Sequence, residues 1–198
     1  TIFTWPYAME GPIKNVFDAF FNMNKFAIFI RQNFEGIAQW SNDLPWYYSS
    51  KFILITIPIV VILGFIFALI FLFHNKKQWF SYFMLIFSTI FPVFWVTVNN
   101  SNVYGGWRHL IFMYLPFVIL SALGFSTLLG LMKNRLLKST ILLCVFALSI
   151  HPLAHSIRNN PYQYVYFNQF TGSIKGAYGQ HELDYYYHSL REASEWIL

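Results

Sequence analysis

Arg108 and His109 follow Tyr104, the pair Gly105-Gly106 and Trp107, and they stand directly before an apolar run that opens at Leu110. A guanidinium in that place can grip a phosphate through two parallel N–H···O bonds. His109 can add a second donor, the glycines let backbone approach a ligand, and Tyr104 and Trp107 can flank a sugar or a lipid headgroup. The start of a helix also offers an anion its unbonded N–H groups and the positive end of its dipole. An Arg there is disfavoured by that dipole, so the pairing points to a bound anion or an acidic partner. The plainer reading is a single Arg reaching up to the headgroups along its apolar stem.

Other clusters also bring together residue types capable of chemistry. His181, Glu182, Asp184 and His188 are suitable metal ligands, but their spacing matches no closed zinc pattern, so no metal is expected. His151 and His155 share a helical face, either as a ligand pair or as an interfacial polar pair. No residues are arranged for nucleophilic catalysis, and no Gly-rich loop of the nucleotide type occurs. No acid lies between Asp43 and Glu182. Proton-driven or ion-driven transport normally relies on intramembrane carboxylates, so a channel or transporter ranks third among the readings. Cys144 is the single cysteine, which excludes a disulfide framework. The glycosylation-like triplet Asn99-Asn100-Ser101 lies too close to the membrane to be read as more than chance.

The elements that must position these groups follow from composition. Hydrophobic residues make up 57% of the chain and charged ones 11%, against about 25% charged in a soluble domain. Uncharged stretches of about 20 residues match a bilayer's hydrocarbon core. Four are expected to span it: Phe52 to Phe73, Trp79 to Val98, Leu110 to Met132 and Ser139 to Ile157. Each carries a proline (Pro58, Pro92, Pro116, Pro152), which membranes tolerate because neighbours re-satisfy the freed carbonyls. Lys76, Lys77, Lys133, Arg135 and Lys138 fall in two short loops without acids, and the remaining Lys and Arg are balanced by the acids, so the net charge of +5 sits in those loops. Basic short loops stay cytoplasmic. Both ends of the segment and the stretch around Arg108 are then expected to face outward.

This gives an all-α polytopic membrane protein with an outer segment over residues 1–51, four transmembrane helices over 52–157 and an outer segment over 158–198. After Gly11-Pro12, the recurrence of Ile13, Val16, Phe17, Phe20 and Phe21 predicts an amphipathic helix, on the membrane surface or on a soluble face. Trp46, Tyr47, Tyr48 and Lys51 form an aromatic belt before the first span. Residues 160–179 read as an aromatic, glycine-punctuated loop. Ser189 and Glu192 then spell a capping box for a final helix through Trp196. The chain opens on Thr1 and ends on Leu198 within that helix, as an internal piece of a longer protein would.

Three stretches carry a resemblance. They are Leu44-Pro45-Trp46-Tyr47-Tyr48 with Lys51 to Pro58, then Tyr104 to His109, and then Asn160-Pro161-Tyr162-Gln163-Tyr164-Val165-Tyr166-Phe167-Asn168 through Asp184, Ser189, Arg191-Glu192-Ala193 and Trp196. Together they resemble the polyprenyl-phosphate-dependent membrane glycosyltransferases of the GT-C superfamily, the group similar to protein O-mannosyltransferases (family 39). The chain departs from that pattern at Tyr186-Tyr187-His188, where the family shows Trp-Gly and a polar residue, and nothing here matches the family's acidic catalytic motif.

The resemblance implies the carboxy-terminal portion of a transferase in a bacterial inner membrane. It would move a sugar from a polyprenyl-phosphate carrier to an acceptor, with no cofactor beyond that donor. Arg108 and His109 would hold the carrier phosphate, and Tyr104, Trp107, Trp46, Lys51, Tyr166 and Asn168 would build the substrate pocket. The catalytic group itself stays unassigned. The alternative is a non-catalytic membrane subunit that docks a partner protein or lipid; on either reading the partner can be another protein or a missing amino-terminal half.

Overall fold

The structure, a computed structural model, describes residues 5–24, 29–71, 79–184 and 189–198. The chain divides into two compact units, residues 1–30 and 31–198. In the first, α1 (Pro6–Glu10) starts on Pro6, whose missing N–H costs nothing in a first turn. The helix α2 (Lys14–Asn24) follows, and the Asn15 amide donates to the carbonyl of Tyr7 at 2.7 Å. Pro12 lies in the turn before α2. Ile13, Phe17 and Phe21 recur four residues apart and are exposed, which leaves this unit an open apolar stripe.

The second unit begins with an element that corrects the all-α expectation. The strands β1 (Arg31–Phe34) and β2 (Ile37–Trp40) pair antiparallel, with Phe34 opposite Ile37 and Arg31 opposite Trp40. Glu35 and Gly36 both have positive φ, 55° and 75°, the backbone of a two-residue hairpin turn whose twist matches that of the strands. Gln32 and Phe34 point inward while their neighbours stay open. A Glu-Gly pair between two short alternating runs was the available signal, but strands of four residues make a weak pattern.

The first expected span is broken rather than continuous. Between α3 (Tyr48–Thr56) and α4 (Ile59–Ile70) the chain bends by 113°. Pro58 has no N–H to continue the ladder and forces Ile57 out of helical geometry, and Ile57 sits at φ −84°, ψ 137°. The helix α5 (Trp79–Val98) matches its expected bounds. A 3-10 turn over Arg108–Met113 runs into α6 (Tyr114–Leu131). The helix α7 (Arg135–Arg158) starts on Asn134, whose side chain accepts from the N–H groups of Leu136 and Leu137. Three helices (α5, Arg108–Leu131 and α7) are thus long and apolar enough to cross a membrane, and the bent pair makes a fourth if it counts as one span.

Small residues join α4 to α6. A Cβ on Gly124 would lie 2.1 Å from the carbonyl oxygen of Gly64, and one on Gly64 equally close to the Ser121 hydroxyl. Such a small-residue seam lets backbones approach where lipid supplies no hydrophobic drive. Tyr82 of α5 closes against Ala68 and Leu120. The second core gathers Phe34, Tyr48, Phe52, Ile55, Phe167 and Ala177, so the hairpin, α3 and the late segment form one body, and a boundary at residue 51 falls inside α3. A 3-10 turn (Gln169–Thr171), α8 (Ser173–Ala177) and α9 (Leu190–Ile197) complete the chain. The Ser189 hydroxyl donates to Asp184 at 2.7 Å rather than capping α9, which corrects the capping-box reading.

Candidate functional site

A cavity of about 420 Å³ opens where three helix ends meet. Thr56 and Pro58 border it at the α3–α4 break, Arg108 and Ile111 at the start of the 3-10 turn, and Pro152 and His155 near the end of α7. Residues 163–167, Glu182 and Leu183 complete the wall. Its volume falls in the range of small-molecule sites, about 300–1,000 Å³.

Hydrogen bonds fix the frame. The Gln32 side-chain oxygen accepts from the Tyr48 hydroxyl at 2.8 Å and from the Gly105 N–H at 2.6 Å, and the Tyr48 oxygen accepts from the Gly106 N–H at 2.9 Å. Gly105 and Gly106 both stand at positive φ, 64° and 68°, a backbone that glycine adopts without Cβ strain. Their amides, expected to meet a ligand, are used inside the protein instead. The Trp107 indole donates to the Thr56 hydroxyl at 2.7 Å, and that hydroxyl donates to the Phe52 carbonyl.

Arg108 lines the cavity, and its guanidinium lies 4.5 Å from the centre of the Tyr104 ring, a cation–π distance. Its Nε lies 3.4 Å from His109 Nε2, and the exposed His109 ring meets Tyr104 edge-on at 4.8 Å. Tyr104 and His109 therefore prop Arg108 rather than line the cavity. The α-helix proper begins at Tyr114, so the helix-end contribution expected beside Arg108 falls more than a turn away.

Tyr166 also lines the cavity. Its hydroxyl meets His151 Nδ1 at 3.1 Å, and His151 Nε2 meets the Ser173 hydroxyl at 3.0 Å. Burial pushes the phenol up to about 12, so it stays protonated at neutral pH. The Asn159 amide nitrogen lies 3.1 Å from His155 Nδ1, which leaves the His155 proton on Nε2, 3.3 Å from the Gln163 carbonyl. Both histidines of the i, i+4 pair are thus spent on protein partners. Among the described residues no group of three metal ligands occurs, and His188, like Tyr186 and Tyr187, lies outside them.

Besides Tyr104, three expected pocket residues sit elsewhere. Asn168 is fully buried (0% exposed). Its amide donates to the carbonyls of Leu54 at 2.6 Å and Ile57 at 2.8 Å, and its N–H donates to that of Ile55. It holds the broken helix together. Lys51 pairs with Glu35 and lies 5.5 Å from the Phe34 ring, and it holds the Glu35 carboxyl below its ordinary range. Trp46, 73% exposed, borders a separate polar cleft of about 80 Å³ with Ser41, Asn42 and Asn100. Glu182, His155, Gln163 and Tyr164 also line the wall, and no local sequence pattern marks them for it, because only the fold brings them into one cavity with Arg108. No protein-family model, curated protein or solved structure matches this chain.

Proposed function

We propose that the chain is part of a lipid-linked sugar transferase, moving a glycosyl group from a polyprenyl-phosphate carrier to an acceptor at the outer face of the membrane. The observation that carries this reading is the placement of Arg108. Among the described residues of the cavity wall it is the one Lys or Arg, set at the end of a membrane-length helix and braced on Tyr104. Apolar groups such as Phe52, Trp107 and Val165 suit an isoprenoid stem and a sugar face, and the guanidinium suits the phosphate between them. As the sugar departs, negative charge grows on that phosphate, and a cation already in place stabilises it without reorganising at the moment of reaction.

Native mass spectrometry of the detergent-solubilised protein with decaprenyl phosphate tests this. The unaltered protein retains the lipid, and Arg108→Ala weakens retention at least about 30-fold, the loss expected when one partner of a desolvated charge pair is removed. Arg108→Lys recovers part of it, because an ammonium lacks the bidentate fork. Equal retention by Arg108→Ala defeats the reading. A stoichiometric protein partner without carrier lipid replaces it with that of a docking subunit.

A further inference from the structure

We propose that Tyr166 is a second hydrogen-bond donor to the phosphate held on Arg108, and that His151 is the positioning residue that turns the phenol proton into the cavity. This rests on the transferase reading above and adds a donor to its phosphate site.

Tyr166 and Arg108 line one cavity. The phenol keeps its proton at neutral pH, so it can serve an anion as a donor. Among the described residues its hydroxyl has one hydrogen-bond partner, His151 Nδ1 at 3.1 Å. What that nitrogen does decides what the phenol offers a ligand. If Nδ1 accepts, the phenol spends its proton on the protein and shows the cavity only lone pairs. If Nδ1 donates, the phenol oxygen is paired from behind and its proton is left for the cavity.

The far side of the imidazole selects between these states. A neutral imidazole carries one proton, so the group that faces Nε2 governs Nδ1. One turn along α7, His155 Nε2 faces the Gln163 carbonyl at 3.3 Å, which can only accept, and the proton of that ring stays on Nε2. His151 Nε2 instead faces the Ser173 hydroxyl at 3.0 Å. A hydroxyl donates as well as accepts, so the His151 proton is free to stand on Nδ1. The serine is held there against its backbone preference. Ser173 has φ 62°, a left-handed conformation that a residue with a Cβ adopts only at a cost. Its N–H donates to the Asn168 carbonyl at 3.1 Å, and a Cβ on Gly176 would lie 1.6 Å from the Thr171 carbonyl oxygen, so the turn is closely packed. Strain of this kind persists where the surroundings impose it, and it clusters at ligand sites. Here it keeps a two-way group opposite a histidine bonded to a cavity-lining phenol.

With an anion in the cavity the bonds run in one direction, from Ser173 to His151, from His151 to Tyr166 and from Tyr166 to a phosphate oxygen. Aligned hydrogen bonds polarise and strengthen one another. A doubly protonated imidazole ends in the same arrangement at Tyr166, because both of its nitrogens donate. Arg108 then supplies the charge and Tyr166 a directed donor.

Retention of decaprenyl phosphate in native mass spectrometry, run beside calorimetric titration with inorganic phosphate, tests this. Tyr166→Phe should weaken lipid retention about 10-fold or more, the loss expected for a hydrogen bond to a charged group. His151→Leu should weaken it by a similar factor, and His151→Asn should recover most of the loss, because its amide can place an N–H where Nδ1 stands. In nitrogen NMR of protein carrying isotope-labelled histidine, the signal that disappears in His151→Asn should show a proton on Nδ1 once the lipid is bound. Retention by Tyr166→Phe within twofold of the unaltered protein, beside a weakened Arg108→Ala, overturns the donor assignment while the carrier reading stands. Equal losses in His151→Leu and His151→Asn, or a bare Nδ1 in the lipid complex, overturn the positioning role. An unaltered protein that retains no lipid but binds inorganic phosphate through Tyr166 overturns the carrier reading and leaves the donor in place. One that binds neither overturns both.

Discussion

The hairpin-and-cavity region and the long helices are held by different physics. Around the cavity, aromatic residues from four stretches bury one another, and hydrogen bonds over long sequence separations fix the backbone, as Gln32 does for Gly105 and Asn168 for Leu54. The long helices α5 and α7 keep most of their apolar surface open, with 11% and 0% of their membrane-length windows buried. On α5, Phe83, Phe87 and Phe91 stack along one exposed face. One region completes its core from its own chain, and the other presents a surface that hydrocarbon can complete. Mutations should therefore have large effects in the first and at the α4–α6 seam, and small ones on the open helices.

The largest expected effect is at the seam. Gly124→Leu drives a side chain into the Gly64 carbonyl and should remove the folded protein from size-exclusion profiles, a loss above about 3 kcal/mol, at or beyond the top of the usual overpacking range. Leu143→Ala on the open face of α7 should stay within about 0.5 kcal/mol in thermal unfolding in detergent. Comparable losses in the two would erase the distinction between closed and open regions.

Next comes Asn168→Ala. It leaves the Leu54 and Ile57 carbonyls without their donor, at about 1–3 kcal/mol for each buried group. Asn168→Asp should do no better, since an ionised carboxylate cannot donate. Thermal unfolding of both variants checks this, and a neutral result for either shows that the break at Pro58 holds without the clamp.

The smallest effect is pH-dependent. Burial, aided by Lys51, holds the His181 ring below its ordinary value, while Glu35 opposes this. The unfolded chain then binds more protons than the folded one, so the contribution of His181 is fully present above about pH 6.5 and declines as pH falls below it. In His181→Phe, unfolding temperature should change less between pH 7 and pH 5 than in the unaltered protein. An equal change would place the sensitivity elsewhere.

Residues with strong local signals were legible. Trp79 to Val98 stands as read, and the later two helices begin two and four residues earlier than their apolar runs, because a turn can include Arg108 or Arg135 at a membrane edge. Arg108, Trp107 and Tyr166 line the cavity. Glu182 stood out only as one of a row of possible metal ligands with His181 and Asp184, and its place in the cavity wall depends on the hairpin catching residues 179–182. Asn168 was misplaced for the same reason: its partners lie more than a hundred residues away.

The prolines divide what each level determines. Composition and run length alone dictate apolar helices of bilayer length, because burying a charge in hydrocarbon is costly whatever the neighbours are. They do not dictate which proline breaks its helix. Pro92 and Pro152 stay inside α5 and α7, Pro116 lies in the first turn of α6, and Pro58 ends α3. A break exposes carbonyls that need donors, and only at Pro58 does the described structure bring one, the Asn168 amide, from a distant part of the chain. Local chemistry set where the chain could turn, and long-range hydrogen bonding decided where it did.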